Sequence, residues 1–323
     1  MLVQQARDLL EARQVPIYFG AVAIAAAVAV LVPGTGRLEA VINPALAFML
    51  FVTFLQVPLA DLGRAFTRWR FVAPLLAANF LAIPLLVAAL TQFLPPDPLI
   101  RLGVLLVLLT PCIDYVVTFA HLGRADAKLL LAATPALLLL QMALLPIYLT
   151  LFLGDEAARL VQVGPFLHAF LWLIAMPLAL AGLVQLWASR SETGTKAASA
   201  LGMLPVPATA LVLFVVVAAV VPQLGQAWSA VLTVLPSYMA FAFLAPFVGW
   251  GVARLAGLQG SEARGVAFSA ATRNSLVVLP LALSVPGALP ILPAIIVAQT
   301  LVELVSELVY VRAIQRLGTA APA

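Results

Sequence analysis

Uncharged, predominantly apolar stretches of about 20 residues, the length needed to cross a bilayer, recur from one end of the chain to the other. They start near Val15, Ala40, Phe71, Leu102, Leu129, Leu160, Ala197 and Gly265. Two of them are too long for one crossing. The run Ala197 to Ala253 divides at Val221-Pro222-Gln223-Leu224-Gly225-Gln226, a turn signal, and the run after Arg273 divides around Pro286-Gly287 and Pro290. In lipid every backbone N–H and C=O must be satisfied internally, so segments of this length read as helices. The expected fold class is therefore an all-α polytopic membrane protein of ten transmembrane helices. They fall near 15–33, 40–60, 71–94, 99–120, 128–153, 165–188, 203–221, 228–253, 264–285 and 291–312. Composition agrees, because 9% of the residues are charged where a soluble chain carries about a quarter. No soluble domain fits between the spans.

The first 14 residues form a mixed-charge amphipathic stretch without the layout of a cleavable signal peptide. The single cysteine, Cys112, excludes an intrachain disulfide, and the net charge of +4 comes without a basic cluster interleaved with aromatics, so no nucleic acid partner is expected. The basic residues instead report topology. Alternate inter-span segments place Arg7, Arg13, Arg64, Arg68, Arg70, Arg124, Lys128, Arg190, Lys196, Arg254, Arg264, Arg312 and Arg316 on one side and only Arg37, Arg101 and Arg159 on the other. Thirteen against three predicts a plasma (inner) membrane protein with both termini in the cytoplasm. The basic residue left over, Arg273, falls inside a span.

Ten spans divide into two halves of five, and an odd number per half gives inverted repeats, 1–160 and 161–323. The fourth span contains Thr110-Pro111-Cys112-Ile113-Asp114 and its counterpart, the ninth, contains Ala271-Thr272-Arg273-Asn274-Ser275. Proline removes a helical hydrogen bond, and non-helical backbone at membrane depth survives only when it is buried in protein or faces a watery cavity. Both spans are expected to be broken helices that cross. Cys112 to Gln141 and Asn274 to Glu303 are each 29 residues, an offset of 162 between the halves.

Ionisable groups at depth are costly, about 2.5 to 3.5 kcal/mol on insertion scales, and face the bundle interior with partners. The candidates are Asp114, Arg273, Glu303 and Glu307. Asp114 and Arg273, of opposite sign at the two breaks, are expected to form an internal charge pair. Glu303 and Glu307 share one helix face; Glu303 is deeper, and Glu307 is expected to reach the cytoplasmic interface. Gln141, Asn274 and Ser275 are the polar candidates beside them. Cys112 follows the break proline, where freed backbone donors favour a thiolate, a ligand suited to soft metal or metalloid species. His121 and His168 fall at span ends, where interfacial packing is their expected role. No His-Glu-x-x-His, Gly-x-Ser-x-Gly or P-loop is present. No enzyme, cofactor or resident metal is expected, and an ion gradient is the expected energy source.

Pro111-Cys112, Gly123-Arg124-Ala125-Asp126-Ala127, Leu140-Gln141, Ser269-Ala270-Ala271-Thr272-Arg273-Asn274 and Leu301-Val302-Glu303 resemble the arsenite-efflux permeases of the bile acid/sodium symporter superfamily. The resemblance covers most of the chain from Leu99 on. It implies a ten-helix fold of panel and core subdomains, with Cys112 and Glu303 tied to proton-coupled export of arsenite or a related metalloid. The chain departs from those permeases at Asp114, where they carry a small or apolar residue, and in the Arg-Asn-Ser-Leu of the second break. A guanidinium at 273 would repel a cation, so protons are expected as the coupling ion ahead of sodium. The alternative is a sodium- or proton-coupled organic-anion symporter in which Arg273 binds a carboxylate.

Overall fold

The computed structural model describes residues 7, 9–57, 68–113, 115–154 and 163–317. In chain order its helices are α1 (Gln14–Leu31), α2 (Glu39–Phe54), α3 (Trp69–Thr91), α4 (Pro98–Leu108), α5 (Val116–Leu122), α6 (Ala127–Leu153) and α7 (163–188). There follow α8 (Glu192–Leu201), α9 (Pro205–Val220), α10 (Leu224–Leu255), α11 (Gly260–Ala271), α12 (Ser275–Leu283) and α13 (Ile291–Ala313). Among the described residues there is no strand, and eight helical stretches are long and apolar enough to cross a membrane. Where the sequence predicts fourth and ninth spans, the chain instead forms two pairs of shorter helices, α4 with α5 and α11 with α12. The segment before α9, read from sequence as a loop, holds α8. Ser191 caps it by accepting from the Gly194 N–H, and Gly194 lets it fold back on α7, since a Cβ there would lie 2.7 Å from the Trp187 carbonyl.

The chain forms two compact units. One comprises residues 1–56, 162–228 and 279–294. Its centre is α9, which packs against both α1 and α2 and buries most of its length. Gln185 of α7 donates to the Phe54 and Leu55 carbonyls at 3.2 and 3.3 Å, satisfying the C-terminal end of α2.

The other unit comprises residues 57–161, 229–278 and 295–323. Asp97 opens α4 by accepting from the Leu99 and Ile100 N–H groups, with Pro98 at the first helical position, and Asp126 opens α6 by accepting from Leu129. Prolines inside the long helices leave carbonyls four residues earlier without their usual donor, and in two places a tyrosine supplies it. Pro84 frees the Phe80 carbonyl, which accepts from Tyr148, and Pro246 frees the Ala242 carbonyl, which accepts from Tyr310. Both pairs are 68 residues apart in sequence, and Pro84 and Pro246 differ by 162. Gly249 lets α10 approach α11 closely: a Cβ there would lie 2.5 Å from that of Ala270.

Candidate functional site

Both breaks lie in the second unit. α4 ends at Leu108 because Pro111 has no N–H to continue the ladder, while Thr110 turns its hydroxyl back to the Leu106 and Val107 carbonyls at 3.0 Å. α11 ends without a proline. Thr272 leaves the helical region at φ −99°, ψ 126°, and its hydroxyl returns to the Phe268 carbonyl at 2.7 Å. The backbone groups that each helix gives up are recovered from the other break. Cys112 N donates to Thr272 O at 3.0 Å and Asn274 N donates to Thr110 O at 2.8 Å, which makes an antiparallel bridge of Pro111 and Arg273. Thr110 and Thr272 are 162 residues apart, as are Cys112 and Asn274, so exchanging counterparts exchanges the two bonds. Thr110, Cys112, Thr272 and Arg273 are all 0% exposed, so this irregular backbone meets the burial requirement of membrane depth.

The Arg273 guanidinium lies among the carbonyl ends of both half-helices. Its Nη2 donates to Ser269 O at 2.6 Å and Ala270 O at 2.8 Å, in the last turn of α11, and its Nη1 donates to Leu108 O, the end of α4, at 3.4 Å. The C-terminal carbonyls of a helix carry partial negative charge and lack intrahelical donors, and a single cation here serves two of them. Nη2 also donates to Asn79 Oδ1 at 2.8 Å, and the Phe241 ring lies 5.6 Å from the guanidinium carbon. Asn79 is oriented by its own amide, which donates to Leu75 O and Ser269 Oγ, and it sits in a π turn of α3 spanning Ala78–Ala82. Asp114, the partner expected for Arg273, lies outside the described residues. Every described acceptor of the guanidinium is a neutral oxygen.

Glu303 of α13 reaches across the second break. Its Oε2 accepts from the Arg273 backbone N–H at 2.8 Å and from Gln299 Nε2 at 2.6 Å, and its Oε1 accepts from the Tyr115 hydroxyl. Tyr115 also lies 3.3 Å from the Arg273 carbonyl oxygen. Gln299 Oε1 accepts from Ser275 Oγ, so a chain of hydrogen bonds runs from the start of α12 through Gln299 to Glu303 and α5. Asn274 caps α12 by accepting from the Val277 N–H at 3.4 Å, and its Nδ2 has no partner among the described residues.

Glu307 corrects the sequence expectation. It does not reach the interface but is 0% exposed, with Oε1 hydrogen-bonded to the Thr272 hydroxyl and Oε2 without a partner among the described residues. Gln141, on α6, is buried and neither amide atom finds a partner among the described residues, so it is not drawn into the Glu303 network. His121 and His168 are exposed at helix ends, and His168 lies beside the Trp172 ring. The residues that sequence reasoning passed over are Asn79, Tyr115, Thr272, Gln299 and Phe241. Asn79 and Gln299 carried a usable signal, as amides within apolar spans, Gln299 one helical turn before Glu303.

A family model for the sodium bile acid symporter family matches residues 43–227, which is 185 of the 323 residues and takes in the first break but not the second. No curated protein matches the chain.

Proposed function

The chain belongs to the sodium bile acid symporter family and is a multi-pass membrane transporter, and from that premise we propose that it is a secondary active exporter of arsenite or a related metalloid or oxyanion, driven by proton antiport. The observation that carries this reading is the buried set at the crossing of the two breaks. Cys112 supplies a soft ligand, Glu303 a titratable carboxyl held by donors from α5, α13 and the break itself, and Arg273 a permanent cation among oxygens that would otherwise suit a sodium ion. A site already filled by a guanidinium leaves the proton as the coupling ion. Asn274 and Ser275 would help hold substrate, with Asp114, Gln141 and Glu307 as secondary candidates.

The same reading makes ten spans in two inverted halves, 1–160 and 161–323, with the half-helix pairs as the fourth and ninth spans. The exchangeable bonds of the breaks and the matched proline and tyrosine pairs support it. The unit that contains both breaks would be the core and the other unit the panel. Both termini lie in the cytoplasm in this scheme, with the charge asymmetry as support. A cysteine placed at exposed Thr195 is expected to label only from the cytoplasm and one at exposed Gln92 only from outside. Labelling of Gln92Cys from the cytoplasm would overturn the helix count.

Transport is tested in everted vesicles with an imposed pH gradient, in sodium-free and sodium-containing buffer. Arsenite accumulation that needs the pH gradient and ignores sodium is the expected result. Cys112→Ser preserves size and removes the soft ligand, and it is expected to abolish accumulation at unchanged expression. Parental accumulation by Cys112→Ser would make the thiol a packing residue and leave the organic-anion symporter as the better reading.

A further inference from the structure

Glu303 and Glu307 lie one turn apart on α13, both buried, yet their surroundings differ in kind. Glu303 accepts three hydrogen bonds shared over its two oxygens, the environment of a carboxylate. Among the described residues Glu307 has one hydrogen-bond partner, the Thr272 hydroxyl, which has a single hydrogen and two oxygens within reach, Glu307 Oε1 and Phe268 O at 2.7 Å. If both contacts are hydrogen bonds, the second hydrogen belongs to the carboxyl. Among the described residues no cation pairs with Glu307 and none donates to its Oε2. A bare oxygen is tolerable on a neutral acid and far more costly on a buried anion.

Resting on the antiport reading above, we propose that Glu307 is a second proton-binding site, holding its proton by donation to Thr272 and exchanging it with Glu303 one turn away. The balance is simple: the O–H bond on Glu307 breaks as one forms on Glu303, and the pair keeps a single negative charge throughout. Arg273, at the same break, offsets that charge, so its balance with the two glutamates does not change while the proton moves. Among the described residues, the ionisable groups that act on Glu307 are Glu303 and Tyr310 on its own helix, while Tyr115 at the start of α5 and Arg273 at the break lie against Glu303. The charged residues of α10 and α11, Arg254, Glu262 and Arg264, sit at helix ends and are exposed or half-buried. In the second half of the chain Thr272 faces a carboxyl, whereas the residue 162 positions before Glu307 is Leu145. The proton site is therefore specific to one half.

Infrared spectroscopy on purified protein at neutral pH tests this without any substrate. A protonated-carboxyl C=O band is expected in the parent and in Glu303→Gln, lost in Glu307→Gln, and shifted in Thr272→Val, which removes the hydroxyl acceptor. A parent spectrum unchanged by Glu307→Gln would overturn the proposal. In vesicles, Glu307→Gln is expected to lose accumulation driven by pH at unchanged expression. Parental accumulation by Glu307→Gln would also overturn it. A parent that ignores the pH gradient sinks the antiport reading and the proton exchange with it, while the infrared arm still decides whether Glu307 holds a proton.

Discussion

Arg273→Met is expected to be among the most destabilising single changes in the chain, costing about 3 to 5 kcal/mol, the range for removing one partner from a buried charged set. Methionine fills much of the volume but donates nothing. Leu108 O, Ser269 O, Ala270 O and Asn79 Oδ1 would each lose a donor, with no water to replace it. Two helix C-termini would then meet with their partial negative charges uncompensated. Arg273→Lys keeps the charge but has no planar fork to reach oxygens from three elements, so it is expected to recover only part of the loss. Arg273→Ala is the more informative variant, because it leaves a void lined by oxygens. Sodium is expected to raise its thermal midpoint in detergent, relative to choline at equal ionic strength, and to leave the parent unchanged. Sodium stabilisation of the parent would show that the guanidinium has not taken the ion's place. Combining Arg273→Met with Asp114→Asn extends the measurement: partial recovery in the double variant would identify Asp114 as the counter-ion, and additivity would leave the neutral oxygens as the cation's environment.

Eight of the expected spans and both breaks were legible because their causes are local. Hydropathy marks each helix that must sit in lipid, and Pro111 acts on its own backbone wherever the rest of the chain goes. The second break has no proline, and only the cluster Thr272-Arg273-Asn274 in an apolar run marked it. What sequence could not give was the identity of the partners. Asn79 and Tyr115 come from other helices, and nothing in their immediate sequence says that they face Arg273 or Glu303, whereas Gln299 lies one turn before Glu303 on α13 itself. Glu307 was misplaced for a related reason. Five residues separate it from Arg312 near the end of α13, a distance over which a long side chain can reach the interface, but its direction is set by the face of α13 that meets Thr272. The tyrosines that repair Pro84 and Pro246 were invisible until their contacts were known, although the 162-residue offset was already present between Cys112 and Asn274.

Glu303→Gln and Glu303→Leu are expected to separate the carboxyl's structural role from its chemical one. Glutamine can place its oxygen where Oε2 now accepts from the Arg273 N–H and Gln299. Its amide nitrogen would then face Tyr115, whose hydroxyl can accept from it and turn its own hydrogen to the Arg273 carbonyl, 3.3 Å away. The network survives with one protonation state, so thermal stability is expected to stay near that of the parent while transport driven by a pH gradient is lost. Leucine has no such route. It strands two buried donors, Gln299 Nε2 and the Arg273 N–H, each at about 1 to 3 kcal/mol, and leaves the break without the acceptor that holds Arg273 N, so folded protein itself should fall. Melting curves of the two variants, read beside pH-driven transport and gradient-free exchange, make the comparison. Substantial pH-driven transport in Glu303→Gln would remove Glu303 as the proton carrier, and a leucine variant as stable as the parent would show that the hydrogen bonds around this carboxylate do not hold the crossing together.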